Sequence, residues 1–278
     1  MKTNEKLGSW IRQIVKYCQD YNIPPEYLHE TLSEPKVIPM IRGKAFEFSA
    51  MLALKRILKD NGEWFVEKIP MNAQSGEHDI DLQVTHLPTK KIIRLECKLS
   101  KKEGYRRKKD GHHEISVKCM RSRTLGESKV KELAPKLKVS ARMLTIHNDQ
   151  YLPSDFDFVI TSIGNAFYRT NDEGRFVWKP NEKEIEFLEM LKSFFGIKSM
   201  NLQDFAFSTM YIGYSRDIAI LKSNRVKCSR KKCPSKNDCG FIPNYPIISF
   251  PKNDGLPTNG WFPLNSAHHL FEKFIKSG

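Results

Sequence analysis

The chain has 278 residues, 40% of them hydrophobic, with 46 Lys and Arg against 32 Asp and Glu, a formal net charge of +14. That apolar share is enough for a packed core and argues against a disordered tail, and no apolar run reaches the roughly 18 residues of a membrane span. Six cysteines over this length are no disulfide scaffold and read as reduced thiols or metal ligands. The positive excess points to a polyanionic partner.

The first forty residues read as helical. Trp10, Ile14, Cys18 and Tyr21 form one stripe, and PPEYLHETL opens a second helix with proline in its first turn. Helices here serve core packing, dimerisation or contact with a partner. MKTNEKLGSW has no apolar stretch behind its charges, so a cytoplasmic chain without a signal peptide is expected. RGKAFEFSAMLALKRILKD is amphipathic: Phe46, Ala50, Leu54, Ile57 and Leu58 fall near helical spacing, with Glu47 in the first turns. EWFVEKIP is a strand candidate.

HDIDLQVTHLPTKKIIRLECKLS follows. Ile80, Leu82 and Val84 alternate with polar residues, as do Ile93, Leu95, Cys97 and Leu99. A return centred on Pro88 and Thr89 sets Leu82 opposite Leu95 and Ile80 opposite Cys97. The other face then carries Asp81 opposite Glu96 and Asp79 opposite Lys98. Facing carboxylates repel unless a positive group lies between them. A hard divalent cation, held by carboxylate oxygens and water, fits that need, with Lys98 orienting water or offsetting phosphorane charge. The plainer alternative is a solvated hairpin with a surface ion pair between Asp79 and Lys98.

Further on, residues 129–147 read as one helix with Pro135 near its start or at a break. DFDFVITSI is an apolar strand, residues 182–196 a helix with a glycine stop, TMYIGYSRDIAIL a strand region, and NSAHHLFEKFIKSG a short helix behind an Asn/Ser cap.

The hairpin resembles the PD-(D/E)xK nuclease superfamily. Glu96-Cys97-Lys98 matches the (Asp/Glu)-x-Lys half of that motif. The aspartate half departs from it, since no proline precedes the acid, and GEHDIDLQV offers both Asp79 and Asp81. The resemblance implies catalysis by Asp81, Glu96 and Lys98. It also implies Mg2+, with Mn2+ as a substitute, on Asp81, Glu96 and the backbone carbonyl of Cys97, Asp79 and Glu47 being lesser candidates. Glu47 has the alternative of complementing its helix N-terminus. The order helix, three strands, helix, strand matches the family's core. The expected fold is therefore α/β, a central mixed β-sheet flanked by helices in a restriction-endonuclease-like core, with N-terminal helical and C-terminal additions. The expected segments are 1–38 helical, 39–200 the nuclease core, and 201–278 an extension.

Between residues 98 and 123 ten Lys and Arg stand against three acids, and between 222 and 236 seven against none. Such runs suit phosphate contact. In the first, expected as a loop over 99–123, Lys101, Lys102, Arg106, Arg107, Lys108, Lys109, Arg121 and Arg123 are the candidate DNA ligands, unless the loop is only solvated. The His112-His113 and His268-His269 pairs are expected at the surface or on DNA. Cys228, Cys233 and Cys239, spaced by four and five residues, suit Zn2+ with a fourth ligand such as Cys119 or a histidine. They also distantly resemble the cysteine triplet of iron–sulfur nucleases, for which Cys18 would be the fourth; the alternative is a basic loop of free thiols. Together these readings lead to the expectation of a Mg2+-dependent endonuclease of double-stranded DNA, a homodimeric type II restriction enzyme. The rivals are a repair, recombination or phage DNA-processing nuclease of the same superfamily, or a non-catalytic DNA-binding protein.

Overall fold

Hydrophobic spacing shifts from helical to alternating along the chain, and the fold follows it. The computed structural model describes residues 2–59, 62–69 and 80–277. Two compact units emerge, one of residues up to 45 together with 170–176, the other of residues 46–169 and 177 onward.

In the first unit lie α1 (Lys2–Asp20), a 3-10 turn (Pro25–Tyr27), α2 (Leu28–Ser33) and the opening turns of α3 (Ile38–Ile57). The expected stripe is split: on α1 Cys18 is buried whereas Trp10 and Ile14 are exposed, and Tyr21, exposed too, lies just past the helix end. The second helix starts at Leu28 and not at its prolines, because Pro25 opens the tighter turn instead.

The second unit begins within α3, where Phe46, Ala50 and Leu54 repeat every fourth residue and are buried. Next come β1 (Trp64–Lys68), β2 (Leu82–His86), β3 (Ile92–Cys97), β4 (Ser100–Arg107), β5 (His113–Val117), α4 (Glu127–Lys136), α5 (Ala141–Ile146) and β6 (Phe158–Ser162). A short pair, β7 (Tyr168–Thr170) and β8 (Phe176–Trp178), leads to α6 (Glu182–Phe194), α7 (Leu202–Ser208) and β9 (Met210–Tyr214). The chain ends with β10 (Ile247–Phe250), β11 (Trp261–Pro263) and α8 (Ala267–Ser277).

Among the described residues six strands form the central sheet, in the order β1-β2-β3-β6-β9-β11. Only β3 and β6 run parallel; the other neighbours are antiparallel. The fold is thus α/β, a mixed central sheet flanked by helices. Leu82 pairs with Leu95, the register that the apolar alternation and the turn together demand. On one face Leu82, Val84, Ile93, Leu95, Phe158 and Ile160 pack with Ala50 and Leu54 of α3 and Phe271 of α8. On the other, Val159 and Tyr211 pack with Phe187 and Leu191 of α6, Phe205 of α7, and Ile115 and Phe250 of a second sheet. All five residues of β6 are buried, as a strand covered on both faces must be.

Three expectations are corrected here. Residues 99–123 are largely no loop: β4 and β5 form a hairpin, extended by β10 into a three-stranded sheet. Its inward residues Ile115 and Val117 join the main core, while its outward residues carry the charges that disguised it. The single helix over 129–147 is two, α4 and α5, with Pro135 in the last turn of α4 and Lys138 turning left-handed at φ 54°. The segment 201–278 is no separate addition, since it supplies β9 and β11 to the central sheet.

Candidate functional site

The parallel pairing of β3 with β6 fixes Glu96 in the middle of the central sheet, opposite Val159. Its carboxylate is buried at 2% exposure and accepts a hydrogen bond from the Tyr151 hydroxyl at 2.9 Å. Lys98 returns its ammonium to the same Glu96 oxygen at 2.5 Å. Asp81 precedes β2, and the Cys97 N–H donates to its Oδ2 at 2.9 Å. One strand end thus brings together two carboxylates, a lysine and a phenol. Asp79, the competing aspartate, lies outside the described residues.

The electrostatics follow from this crowding. Burial, then the Glu96 charge, lift the Asp81 pKa from 3.8 to about 7, against the lowering pull of Lys98 and the Cys97 amide. Burial opposes the charge on Lys98, yet Glu96, Tyr151 and Asp81 together hold its pKa well above the ordinary lysine value, so it stays an ammonium. Burial and the Glu96 charge likewise raise the Tyr151 hydroxyl, which remains a donor. Glu47 of α3 is buried and ion-paired with Lys68 of β1, and its charge adds to the upward push on Asp81. A cation among these oxygens would relieve the repulsion that raises Asp81, and the donor set is the hard-oxygen kind that Mg2+ takes. Tyr151 and Lys68 carry no motif in the sequence; only the folded chain brings them to the acids.

The basic residues divide. Arg121 is nearly buried, holding Asp155 at 2.5 Å and the Gln150 carbonyl at 3.0 Å over the ring of Tyr151, so two of its donors serve the fold and not a base edge. Arg106 and Lys108 converge on the buried Glu114 at 2.5 and 2.6 Å, and Arg107 reaches Glu186 at 3.2 Å. Lys101 lies over the Tyr245 ring. Lys102, Lys109 and Arg123 are half-buried to exposed. The two basic runs meet in one groove of about 770 Å³, lined by Lys108 from the first and Arg225 and Lys227 from the second, with Asn224 and Asn259. His113 is not at the surface, because its ring stacks 4.7 Å from Phe187 and its Nδ1 bonds the Tyr105 hydroxyl at 2.8 Å.

The cysteine triplet also gathers. Cys228, Cys233 and Cys239 come together with His147, which caps the C-terminus of α5, and their four ligand atoms all lie within 4.8 Å of one another. Of the expected fourth partners, a histidine is the one found; Cys119 and Cys18 are not part of this cluster. Cys119 is instead packed among the aromatic side chains of the main core, and Cys18 belongs to the other unit. Spacing could not single out His147, since tertiary folding alone brings it beside thiols far along the chain. No family model matches the chain, and neither a curated protein nor a solved structure does.

Proposed function

We propose that this chain is a Mg2+-dependent endonuclease of the PD-(D/E)xK kind, hydrolysing double-stranded DNA at specific sites in the manner of a type II restriction enzyme. One observation carries the reading: the Cys97 amide holds Asp81 against the strand bearing Glu96 and Lys98, so two crowded carboxylates and an ammonium share one strand end. Supporting it, α3 precedes an antiparallel β1-β2-β3 meander, and the chain crosses over to a fourth strand, β6, parallel to β3. That order is compatible with the restriction-endonuclease-like core the resemblance implies, and it supports the reading.

Asp81 and Glu96 would hold Mg2+, which when bound polarises the phosphoryl oxygen and favours ionisation of water. As a ligand Asp81 would have to give up the proton that its surroundings favour. Tyr151 fixes the Glu96 carboxylate through its hydroxyl, so that oxygen cannot swing away. Lys98, a permanent ammonium, cannot accept a proton; it orients the attacking water and offsets charge on the five-coordinate phosphorus. Water adds to phosphorus and loses a proton to solvent, one P–O ester bond breaks, and the departing alkoxide takes a proton from solvent, leaving a phosphomonoester and an alcohol. Arg225 and Lys227, in the groove that also holds the Lys108–Glu114 pair and Asp217, would be the phosphate contacts of the DNA backbone. Leu7, Trp10, Ile11 and Ile14 leave an exposed apolar stripe on α1, which supports a second copy of the chain as partner.

The reading is tested by digesting a complex DNA with the full chain in Mg2+ and sequencing the ends. Recurrent termini at one short sequence are expected. Ends scattered without sequence preference would move the assignment to a repair or processing nuclease.

A further inference from the structure

We propose that His147, Cys228, Cys233 and Cys239 form a structural Zn2+ site, independent of the carboxylate centre and of the activity proposed for it. The four ligand atoms already lie within 4.8 Å of one another. A tetrahedral ion with Zn–S bonds of about 2.3 Å sets its ligands about 3.8 Å apart, so modest closure completes the shell. An iron–sulfur cluster would place several iron and sulfide atoms between the thiolates and spread them further than this.

The imidazole is prepared for a metal. Gln150 donates through Nε2 to the Ile242 carbonyl at 2.9 Å, which turns its side-chain oxygen toward His147 Nδ1. Nδ1 therefore carries the proton, and Nε2 presents its lone pair. That Nε2 is fully buried and has no hydrogen-bond partner among the described residues. Such an atom is costly to leave bare, and a metal bond satisfies it. The ring is further locked by stacking on Phe241 at 4.2 Å and 11°.

The thiols are prepared as well. Cys228 and Cys233 are buried beside Ile220, and the Arg230 N–H donates to Cys228 Sγ at 3.4 Å, an amide interaction that stabilises thiolate charge. Cys233 Sγ–H donates to the Ser235 carbonyl at 3.4 Å, a bond given up when the proton leaves. On binding, the three thiols release their protons to solvent and the four-ligand shell carries one net negative charge. Lys227, Arg230, Lys231, Lys232 and Lys236 in the same stretch offset it. Three thiolates and an imidazole leave no open coordination position, which marks a structural ion. The ion would fasten residues 228–239 to the end of α5, where the Arg230–Asp149 ion pair and the Asn244–Asp149 bond at 2.8 Å already tie the chain.

The test uses the full chain, stripped with chelator under reducing conditions and titrated with Co2+ and then Zn2+. One equivalent of Co2+ should give tetrahedral d–d bands and thiolate-to-cobalt charge transfer, displaced by one equivalent of Zn2+. His147→Ala should weaken Co2+ binding by about tenfold or more. His147→Cys should retain it with stronger charge transfer, a control that remains informative if His147→Ala fails to fold. X-ray absorption of the Zn2+ form should show three sulfur and one nitrogen neighbour. No stoichiometric tetrahedral Co2+ signal, or an unchanged Co2+ affinity and spectrum in both His147 variants, would overturn the proposal, as would a disulfide within the triplet in the protein as purified.

Discussion

Asp81 is the residue on which the carboxylate site turns. Its pKa is raised from 3.8 to about 7, by burial first and Glu96 second. A carboxyl that prefers its proton in the fold contributes stability that is fully present below about pH 4 and is lost as pH rises through about 7. Denaturant titrations of the metal-free chain across pH 4–8 should show that decline, and Asp81→Asn should flatten it. With Asp81 as the proposed Mg2+ ligand, the same proton would compete with the ion. Binding measured by calorimetry should therefore be about tenfold tighter at pH 8 than at pH 6; equal affinities would mean that Asp81 is not a ligand. Tyr151 acts through Glu96. Tyr151→Phe removes the 2.9 Å bond and should cost about 10- to 100-fold in Mg2+ affinity or cleavage rate, read by single-turnover cleavage at several Mg2+ concentrations. A rate unchanged at every concentration would leave Tyr151 a packing residue.

At the scale of elements, the β4–β5 hairpin and its flanks divide charges that serve the fold from charges that the proposed function assigns to DNA. Arg106 and Lys108 neutralise Glu114, which is buried at 6% exposure. Replacing both with Gln strands that carboxylate and should cost on the order of 1–3 kcal/mol in urea unfolding. Replacing Lys101, Lys102, Lys109 and Arg123 with Gln should leave unfolding nearly unchanged. It should weaken DNA binding in Ca2+, with the log–log salt slope falling by about one for each phosphate no longer neutralised. A slope that does not move would shift the binding role to the run between 222 and 236. The hairpin is also hard to read from sequence. Charged residues fill its outward positions, so its buried partners Ile115 and Val117 stand out too little to mark a strand. In β2 and β3 the alternation is unbroken, and Leu82 opposite Leu95 can be deduced from that alternation and the turn together.

Across the whole molecule, what the sequence reveals is local and what it hides is distant. Asp81, Glu96 and Lys98 sit within one hairpin, so strand parity brings them to one face before any fold is known. Tyr151, Lys68 and His147 reach their partners only through packing, and no spacing marks them. The triplet of cysteines is legible as a group and a histidine as a candidate fourth member, yet which histidine is not, because α5 delivers His147 from another part of the chain. The stripe on α1 reads as a single apolar face, but which of its residues the fold buries depends on tertiary packing; of the four, only Cys18 is covered. The central claim is that Asp81, Glu96 and Lys98 form a Mg2+-dependent hydrolytic site. Its most direct test is cleavage of a double-stranded DNA by the intact chain in Mg2+, in EDTA, and by a folded Glu96→Gln variant in Mg2+. The account predicts discrete cuts in the first case, none in the second, and a rate lower by about a hundredfold or more in the third. Undiminished cutting in EDTA or by Glu96→Gln, or no cutting by the wild-type chain on any DNA offered, would contradict it.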